Sequence, residues 1–192
     1  MSDPQHTLCS PVVLQLPGWR NSGPTHWQTR WEHLYGDQRV EQSDWDWPRR
    51  GDWITRLEEV VQAQDRPVVL VAHSLGCILV AAWASLSPHT HRVRGALLVA
   101  PGDVERDGGP VPPLPGWRPI VRSPLPFPSV LVGSQDDPYC RTDRAQAMAR
   151  DWGSRWVDAG HCGHINAESG LGDWPEGRQW LAPWLAPAMP RT

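Results

Sequence analysis

Short apolar runs alternate along the chain with segments whose apolar residues recur at helical spacing. The runs predict strands over Val12 to Leu16, Arg39 to Gln42, Pro67 to Ala72, Val93 to Ala100, Ser129 to Val132 and Arg155 to Asp158. The segments with helical spacing are His26 to Tyr35, Asp52 to Gln64, Ser74 to Ser85, Arg141 to Trp152 and Pro175 to Leu185. Asp52 suits the cap of its helix, and Pro175 suits the first position of the last helix.

Strands that alternate with helices predict βαβ units and a parallel sheet. The apolar runs are continuous, which is typical of strands covered on both faces. We therefore predict an α/β fold, a three-layer α/β/α sandwich around a mostly parallel sheet of about six strands. The 192 residues suffice for a single domain, residues 1–192, and leave little room for a cap domain.

The segment from Gly102 to Pro128 is rich in proline and glycine and shows no periodicity. It is longer than an ordinary connection between a strand and the next element. Two interpretations are open, a mobile lid over a site and a crossover stiffened by its prolines.

Composition and charge exclude several classes of function. The net charge is −3 and the arginines are scattered, with no lysine, so no nucleic-acid partner is expected. No apolar stretch is long enough to span a bilayer, and the N-terminal residues lack the features of a secretory signal, so we expect a cytoplasmic protein. The four cysteines contain no C-x-x-C pair and are expected to be free thiols, at Cys9, Cys77, Cys140 and Cys162.

The predicted strand that ends at Ala72 is followed by His73 and Ser74, where a helical pattern begins at once. A serine among small residues on a strand-to-helix turn is typical of a nucleophile elbow, which exposes a reactive hydroxyl. Ala72 stands where this motif usually has glycine, and it meets the requirement for a small residue. The alternative is a buried strand followed by a helix that Ser74 merely caps.

A serine hydroxyl becomes a good nucleophile when an imidazole removes its proton and a carboxylate orients that imidazole. Acid and histidine follow Ser74 in that order: Asp136 and Asp137 come after one predicted strand, and His161 and His164 after the next. Because the loops after successive parallel strands emerge at one edge of the sheet, we expect these side chains to converge on Ser74. The sequence therefore predicts a serine hydrolase.

Position along the chain does not distinguish the members of each pair. Asp137 precedes a proline, which biases its backbone away from helix, whereas Asp136 suits the cap of a turn. Asp103 follows the preceding strand and is a third candidate acid, although a turn aspartate is the simpler interpretation. His161 and His164 both follow glycine, and the one not used as a base is expected to line the pocket or to donate a supporting hydrogen bond.

Other residues at this edge of the sheet have other possible roles. His73, beside the nucleophile, is expected to be structural or to lie at the pocket rim. His161, Cys162 and His164 offer three metal ligands within a short segment. Zinc sites usually draw their ligands from separated elements, and the serine motif gives no reason for a metal. Neither a metal ion nor a cofactor is predicted.

The loop after the first strand is expected to complete an oxyanion hole, the set of N–H groups that binds the negatively charged oxygen. Gly18 allows close approach of the backbone. The N–H of Trp19 or Gly18 would then donate alongside that of Leu75. The alternative is a glycine-proline turn that leads into a helix.

Three segments resemble the small serine hydrolases related to retinoblastoma-binding protein 9 and the bacterial YdeN-like proteins. They are LPGWRNSGPTHWQ from Leu16 to Gln28, AHSLG from Ala72 to Gly76, and GHINAESGLGDWPEG from Gly163 to Gly177. The first and third are much more specific than the elbow motif. The three segments together span nearly the whole chain.

The resemblance implies a compact α/β-hydrolase fold and a triad of Ser74, Asp137 and His164. It selects Asp137 because the acid of the family stands directly before proline. It selects His164 because the histidine of the family opens the third segment. Members of this family are hydrolases of small esters or amides, so the implied partner is a small-molecule ester or amide substrate.

These observations predict an enzyme that cleaves small acyl esters through an acyl-enzyme. The rival functions are a serine amidase or peptidase, which shares the triad chemistry, and a protein-binding module whose triad is vestigial. No sequence feature supports a protein partner. Trp19, Trp27 and Trp174 are candidate walls of a pocket for a small apolar acyl group, and core packing is their alternative role.

Overall fold

Strands and helices alternate along the chain in the structure, a computed structural model that describes residues 10–110 and 112–186. The strands are β1 (Val12–Leu16), β2 (Gln38–Arg39), β3 (Val68–His73), β4 (Val93–Val99), β5 (Ser129–Gly133) and β6 (Arg155–Asp158). The α-helices are α1 (Trp27–Tyr35), α2 (Arg50–Ala63), α3 (Leu75–Ala84), α4 (Thr142–Trp152), α5 (Pro175–Gln179) and α6 (Ala182–Leu185). Cys9 lies outside the described residues.

The strands form one parallel sheet in the order β2-β1-β3-β4-β5-β6. Leu70 of β3 pairs with Leu14 of β1 on one side and with Ala96 of β4 on the other. Every residue of β1, β3 and β5 is buried, as is required of strands with helices over both faces. The prediction of a parallel sheet of about six strands is confirmed.

Helices cover both faces of this sheet and create the three-layer sandwich. Successive strand side chains point to opposite faces. Leu70 and Ala72 belong to the core shared with α2, α3 and α4, whereas Val69 and Val71 belong to the core shared with α1 and the segment after β6. Tryptophans fill much of both cores, with Trp27, Trp31, Trp53, Trp83, Trp117 and Trp152 fully buried.

The described residues between β4 and β5 form neither helix nor strand, so this part of the chain contributes no cap domain. The carboxyl ends of β3, β5 and β6 lie at one edge of the parallel sheet, so the loops that follow these strands lie on the same side of the molecule. None of the helices formed by residues 10–110 and 112–186 has the length and apolar character needed to cross a membrane.

Two predicted boundaries near the N-terminal half are wrong. Strand β2 comprises Gln38 and Arg39 and does not extend to Gln42. The N–H of Val40 still donates to the carbonyl of Gln15 on β1 at 2.9 Å, and within the described residues the N–H groups of Glu41 and Gln42 make no further backbone bond to β1. Helix α2 begins at Arg50 with Arg49 at the cap position. Asp52 is therefore not the cap. It lies in the first turn, where its negative charge interacts favourably with the positive end of the helix dipole.

The single helix predicted from Pro175 to Leu185 is two short helices, α5 and α6. Pro175 does occupy the first position of α5. The break falls at Trp180 and Leu181, because Pro183 in the first turn of α6 has no N–H to continue the hydrogen-bond ladder of α5.

Candidate active site

A sharp turn at Ser74 joins the end of β3 to the start of α3. Ser74 has φ 55° and ψ −118°, a conformation that residues with side chains rarely adopt. Its N–H donates to the carbonyl of Val99 on β4 at 3.0 Å. Helix α3 begins so close to β1 that a Cβ on Gly76 would lie 2.2 Å from the carbonyl oxygen of Leu16. With Ala72 fully buried in the strand before it, the turn has the geometry of a nucleophile elbow.

Backbone from two other loops lies directly against the Ser74 side chain. A Cβ on Gly18 would lie 2.7 Å from the Cβ of Ser74, and one on Gly102 would lie 3.4 Å from its Oγ. The backbone N–H groups of Trp19 and Leu75 donate to no acceptor within residues 10–110 and 112–186. Trp19 and Leu75 line the same cavity as Ser74, so both N–H groups are free for a ligand there. Gly18, the other predicted donor, also makes no backbone N–H bond within the described residues, but it is not among the residues that line this cavity.

Side chains from three separate loops form one hydrogen-bonded chain at this edge. The Nε2 of His164 lies 2.9 Å from the Oγ of Ser74, and its Nδ1 lies 2.9 Å from each carboxylate oxygen of Asp137. The N–H of Tyr139 donates to Oδ1 of Asp137 at 2.8 Å. Because a carboxylate only accepts, the proton of a neutral His164 ring is on Nδ1. Its Nε2 is then free to accept the serine proton.

Asp136 and His161, the other members of the two predicted pairs, are not part of this series of hydrogen bonds. Asp136 accepts hydrogen bonds from the hydroxyl of Ser134 at 2.7 Å and from the N–H of Gly163 at 2.8 Å. These bonds, that from Ser134 foremost, hold the pKa of Asp136 below its usual value. His161 is exposed at the surface. Asp136 therefore ties the two loops together, and His161 takes no part in the hydrogen bonds at Ser74.

Asp103 belongs to a network of ion pairs that fastens the segment between β4 and β5. Its carboxylate binds the guanidinium of Arg144 on α4 at 3.0 and 3.1 Å, and Glu105 binds the same guanidinium at 2.6 Å. Trp117 is fully buried and donates to the carbonyl of Pro48 at 2.9 Å. These contacts favour a rigid crossover over a mobile lid.

Two buried histidines stand behind the hydrogen-bonded chain. The Nε2 of His73 lies 2.9 Å from the carbonyl oxygen of His164, and the ring of His26 lies 4.8 Å from the ring of His73. His26 caps α1, where its Nδ1 accepts from the N–H of Gln28. Burial, followed by the charges of His164 and Arg39, lowers the pKa of His26 to about 3. The helical segment predicted from the sequence begins at His26, and this first position is the sequence signal for its role as a cap.

A cavity of about 260 Å³ opens beside Ser74. Its apolar wall includes Trp19, Leu75, Val104, Leu114 and the ring of Tyr139. Arg20 and Glu168 bring opposite charges to its lining, and both are largely exposed. The site can therefore receive a small, mainly apolar group next to the serine hydroxyl.

Only one of the three predicted tryptophan walls lines this cavity. Trp19 lines it, but Trp27 and Trp174 are buried in the core beside α1, with ring centroids 5.0 Å apart. Trp27 donates from its indole N–H to the carbonyl of Ile165 at 2.8 Å. The prediction for these two is wrong because their large apolar rings pack against each other under the loop that carries the histidine.

The segment considered as a metal site has a different arrangement. The thiol of Cys162 donates to the carbonyl of Ala159 at 3.1 Å, and both ring nitrogens of His164 face Ser74 and Asp137. In the part of the chain that the structure describes, no group of three His, Cys, Asp or Glu side chains is placed to hold a metal ion.

The chain belongs to the serine hydrolase family, whose model matches residues 13–183. A solved structure described as a YdeN-like hydrolase from Pectobacterium atrosepticum is 31% identical, with 91% of this chain and 90% of that one covered and a TM-score of 0.79. The ydeN gene product of B. subtilis is 19% identical over 91% of this chain and 98% of that one, with a TM-score of 0.69. The likeness to YdeN-like hydrolases is confirmed, and the chain is a hydrolase.

More distant structures share the fold alone. Est1E from Butyrivibrio proteoclasticus, solved with ferulic acid bound, is 10% identical over 94% of this chain and 92% of that one, with a TM-score of 0.65. No curated protein matches the chain with significance.

Proposed function

We propose that this hydrolase is an esterase that cleaves small acyl esters through an acyl-enzyme on Ser74. The observation that carries the proposal is the unbroken chain of contacts from the Ser74 hydroxyl through His164 to Asp137, with 2.9 Å at each step. A buried serine-histidine-carboxylate chain at the edge of a cavity is the arrangement that activates a hydroxyl.

In the first half of the reaction, Oγ of Ser74 attacks the ester carbonyl carbon while Nε2 of His164 takes the hydroxyl proton. The tetrahedral intermediate collapses, His164 passes that proton to the departing alcohol oxygen, and the acyl group stays on Ser74. In the second half, water attacks the acyl carbonyl and gives a proton to His164. The carboxylic acid leaves as that proton returns to Ser74. Asp137 keeps the Nδ1 proton in place and stabilises the imidazolium.

The negative charge that develops on the carbonyl oxygen needs donors that are already in place. The free N–H groups of Leu75 and Trp19 are the candidates, and Gly18 allows the loop of Trp19 to lie against Ser74. Removal of one such donor typically costs about 3 to 4 kcal/mol of transition-state stabilisation.

Cavity size and lining define the proposed substrate class. A volume of about 260 Å³ with apolar walls at Trp19, Val104 and Leu114 suits a short acyl chain and not a long lipid chain. An ester is proposed over an amide because an alcohol is the better leaving group and needs less assistance from His164.

A fluorophosphonate probe and a series of p-nitrophenyl esters from acetate to octanoate test the proposal. We expect the protein to be labelled, the Ser74→Ala variant to be unlabelled, and turnover to be highest for the short acyl chains. The matched control is Ser123→Ala, which changes an exposed serine that does not line the cavity, and its labelling and turnover should equal those of the unmodified protein. Folded protein without labelling would favour a binding module, and faster cleavage of matched anilides would favour an amidase.

A further inference from the structure

The imidazole of His73 has no part in the proposed mechanism, although it follows the nucleophile's strand to its end and contacts the residue that carries the base. His73 directly precedes Ser74, is buried, and lines the same cavity. Its Nε2 lies 2.9 Å from the backbone carbonyl oxygen of His164. Because a carbonyl only accepts, this nitrogen must carry the ring proton and donate it.

The environment of His73 keeps its ring neutral, so the ring carries one N–H, on either Nδ1 or Nε2. Burial lowers the pKa of His73 well below its usual value, with further lowering from the charges of His26 and His164. In the neutral ring, the hydrogen bond to His164 fixes the proton on Nε2 and leaves Nδ1 bare. The neutral ring of His73 therefore keeps its one N–H on the side that faces the His164 carbonyl.

The backbone that His73 holds is strained. Ile165, the next residue, has φ 46°, which is an outlier for a β-branched side chain. Such a conformation persists only where the surroundings impose it. Two side-chain donors impose it here on successive carbonyls, Nε2–H of His73 on His164 and the indole N–H of Trp27 on Ile165.

The ring of His164 is also enclosed on two sides. The centroid of the His73 ring lies 4.8 Å from it, and that of Tyr139 lies 4.2 Å from it at an angle of 34° between the planes. Neither ring bonds to Nε2 of His164, which is left to Ser74.

We propose that His73 is a positioning residue for the base. Its Nε2–H links the carbonyl of His164 to β3, whose last residue is His73 and which leads directly into Ser74. This link sets the distance between the two reacting side chains. The inference rests on the proposed function, because it assigns His164 as the base. It goes further by giving the residue before the nucleophile a defined task.

Two substitutions separate positioning from packing. His73→Met fills a similar volume without a donor, whereas His73→Gln places an amide N–H near the position of Nε2. For His73→Met we expect kcat per active site to fall by about 10- to 100-fold, since a misplacement of about 1 Å costs about that much. KM should change by less than about twofold, because the cavity wall is kept. His73→Gln should recover most of the lost kcat.

Active-site titration with the fluorophosphonate probe counts the competent molecules in each preparation, so a loss of folded protein does not register as a loss of kcat. A purely structural role would lower the titrated fraction and leave kcat per site unchanged. That result, or equal loss in the Met and Gln variants, would overturn the proposal.

Nuclear magnetic resonance of histidine labelled in the ring tests the hydrogen bond between His73 and His164 without any measurement of activity. We expect the wild-type spectrum to show the His73 proton on Nε2, and a low-field Nδ1 proton on His164 that survives in His73→Gln and weakens in His73→Met. If the wild-type protein neither reacts with the probe nor cleaves esters, the proposed function fails, and these resonances still test the link. If His73→Met does not fold, the wild-type tautomer remains the test, and a proton on Nδ1 of His73 would overturn the inference.

Discussion

Buried neutral histidines should make the folded state sensitive to mild acid, and His26 allows this to be measured at one residue. The substitution is His26→Asn. An asparagine oxygen can accept the N–H of Gln28 as Nδ1 of His26 does, so the cap of α1 is kept while the titrating ring is removed.

The expected size of the effect follows from the lowered pKa. Burial first, then the charges of His164 and Arg39, brings the pKa of His26 from 6.5 to about 3 in the folded protein. Between those values the unfolded chain binds a proton that the folded chain does not, so stability falls as the pH falls through that window. Each pH unit below the unfolded value removes about 1.4 kcal/mol, so this one ring costs about 2 kcal/mol by about pH 5.

The measurement is urea unfolding followed by tryptophan fluorescence at several values between about pH 8 and about pH 5. We expect the stability of His26→Asn relative to the unmodified protein to rise by about 2 kcal/mol over that range. His33→Asn, which replaces an exposed histidine in the same helix, is the control and should leave the pH dependence unchanged. Equal pH slopes for the unmodified protein and His26→Asn would refute the reasoning.

The remaining predictions concern the acid, the second histidine and the elbow. Asp137→Asn should lower kcat by about 10⁴-fold. Asp103→Asn should leave kcat unchanged and lower the free energy of unfolding by about 1 to 3 kcal/mol, because its ion pairs are lost. A fall in kcat equal to that of Asp137→Asn would contradict the assignment of Asp137 as the acid. His161→Ala should leave steady-state turnover unchanged, and abolished turnover would move the base role to it. Gly76→Ala should destabilise by about 1 to 3 kcal/mol or more in urea unfolding, because its Cβ meets the carbonyl of Leu16 at 2.2 Å, and wild-type stability would contradict this.

The elements that carry the site were predictable because their signals are local. The run from Val68 to Ala72 ends at small residues, and this pattern specifies both a central strand and the turn after it. The last helix was mispredicted because Pro183 acts through a missing hydrogen bond and not through apolar spacing.

The pairs Asp136/Asp137 and His161/His164 were not separable by position, since neighbours on one loop reach the same edge of the sheet. The family resemblance selected Asp137 and His164, and these are the two that the structure brings to Ser74. The wall positions of Trp27 and Trp174 could not be predicted, because which way a large ring packs depends on contacts between segments far apart in the chain.

The parallel pairing of its strands affects how this protein folds. Leu14 must find Leu70, and Leu97 must find Val130, so no hairpin of neighbouring strands is available to start assembly. The folding nucleus must bring together residues that are far apart in sequence before any of these contacts stabilise it, and this requirement slows folding. Until the sheet has formed, the apolar strands are exposed and can associate with other copies of the protein. The yield of refolded protein should accordingly depend more on protein concentration than on which residue occupies position 74.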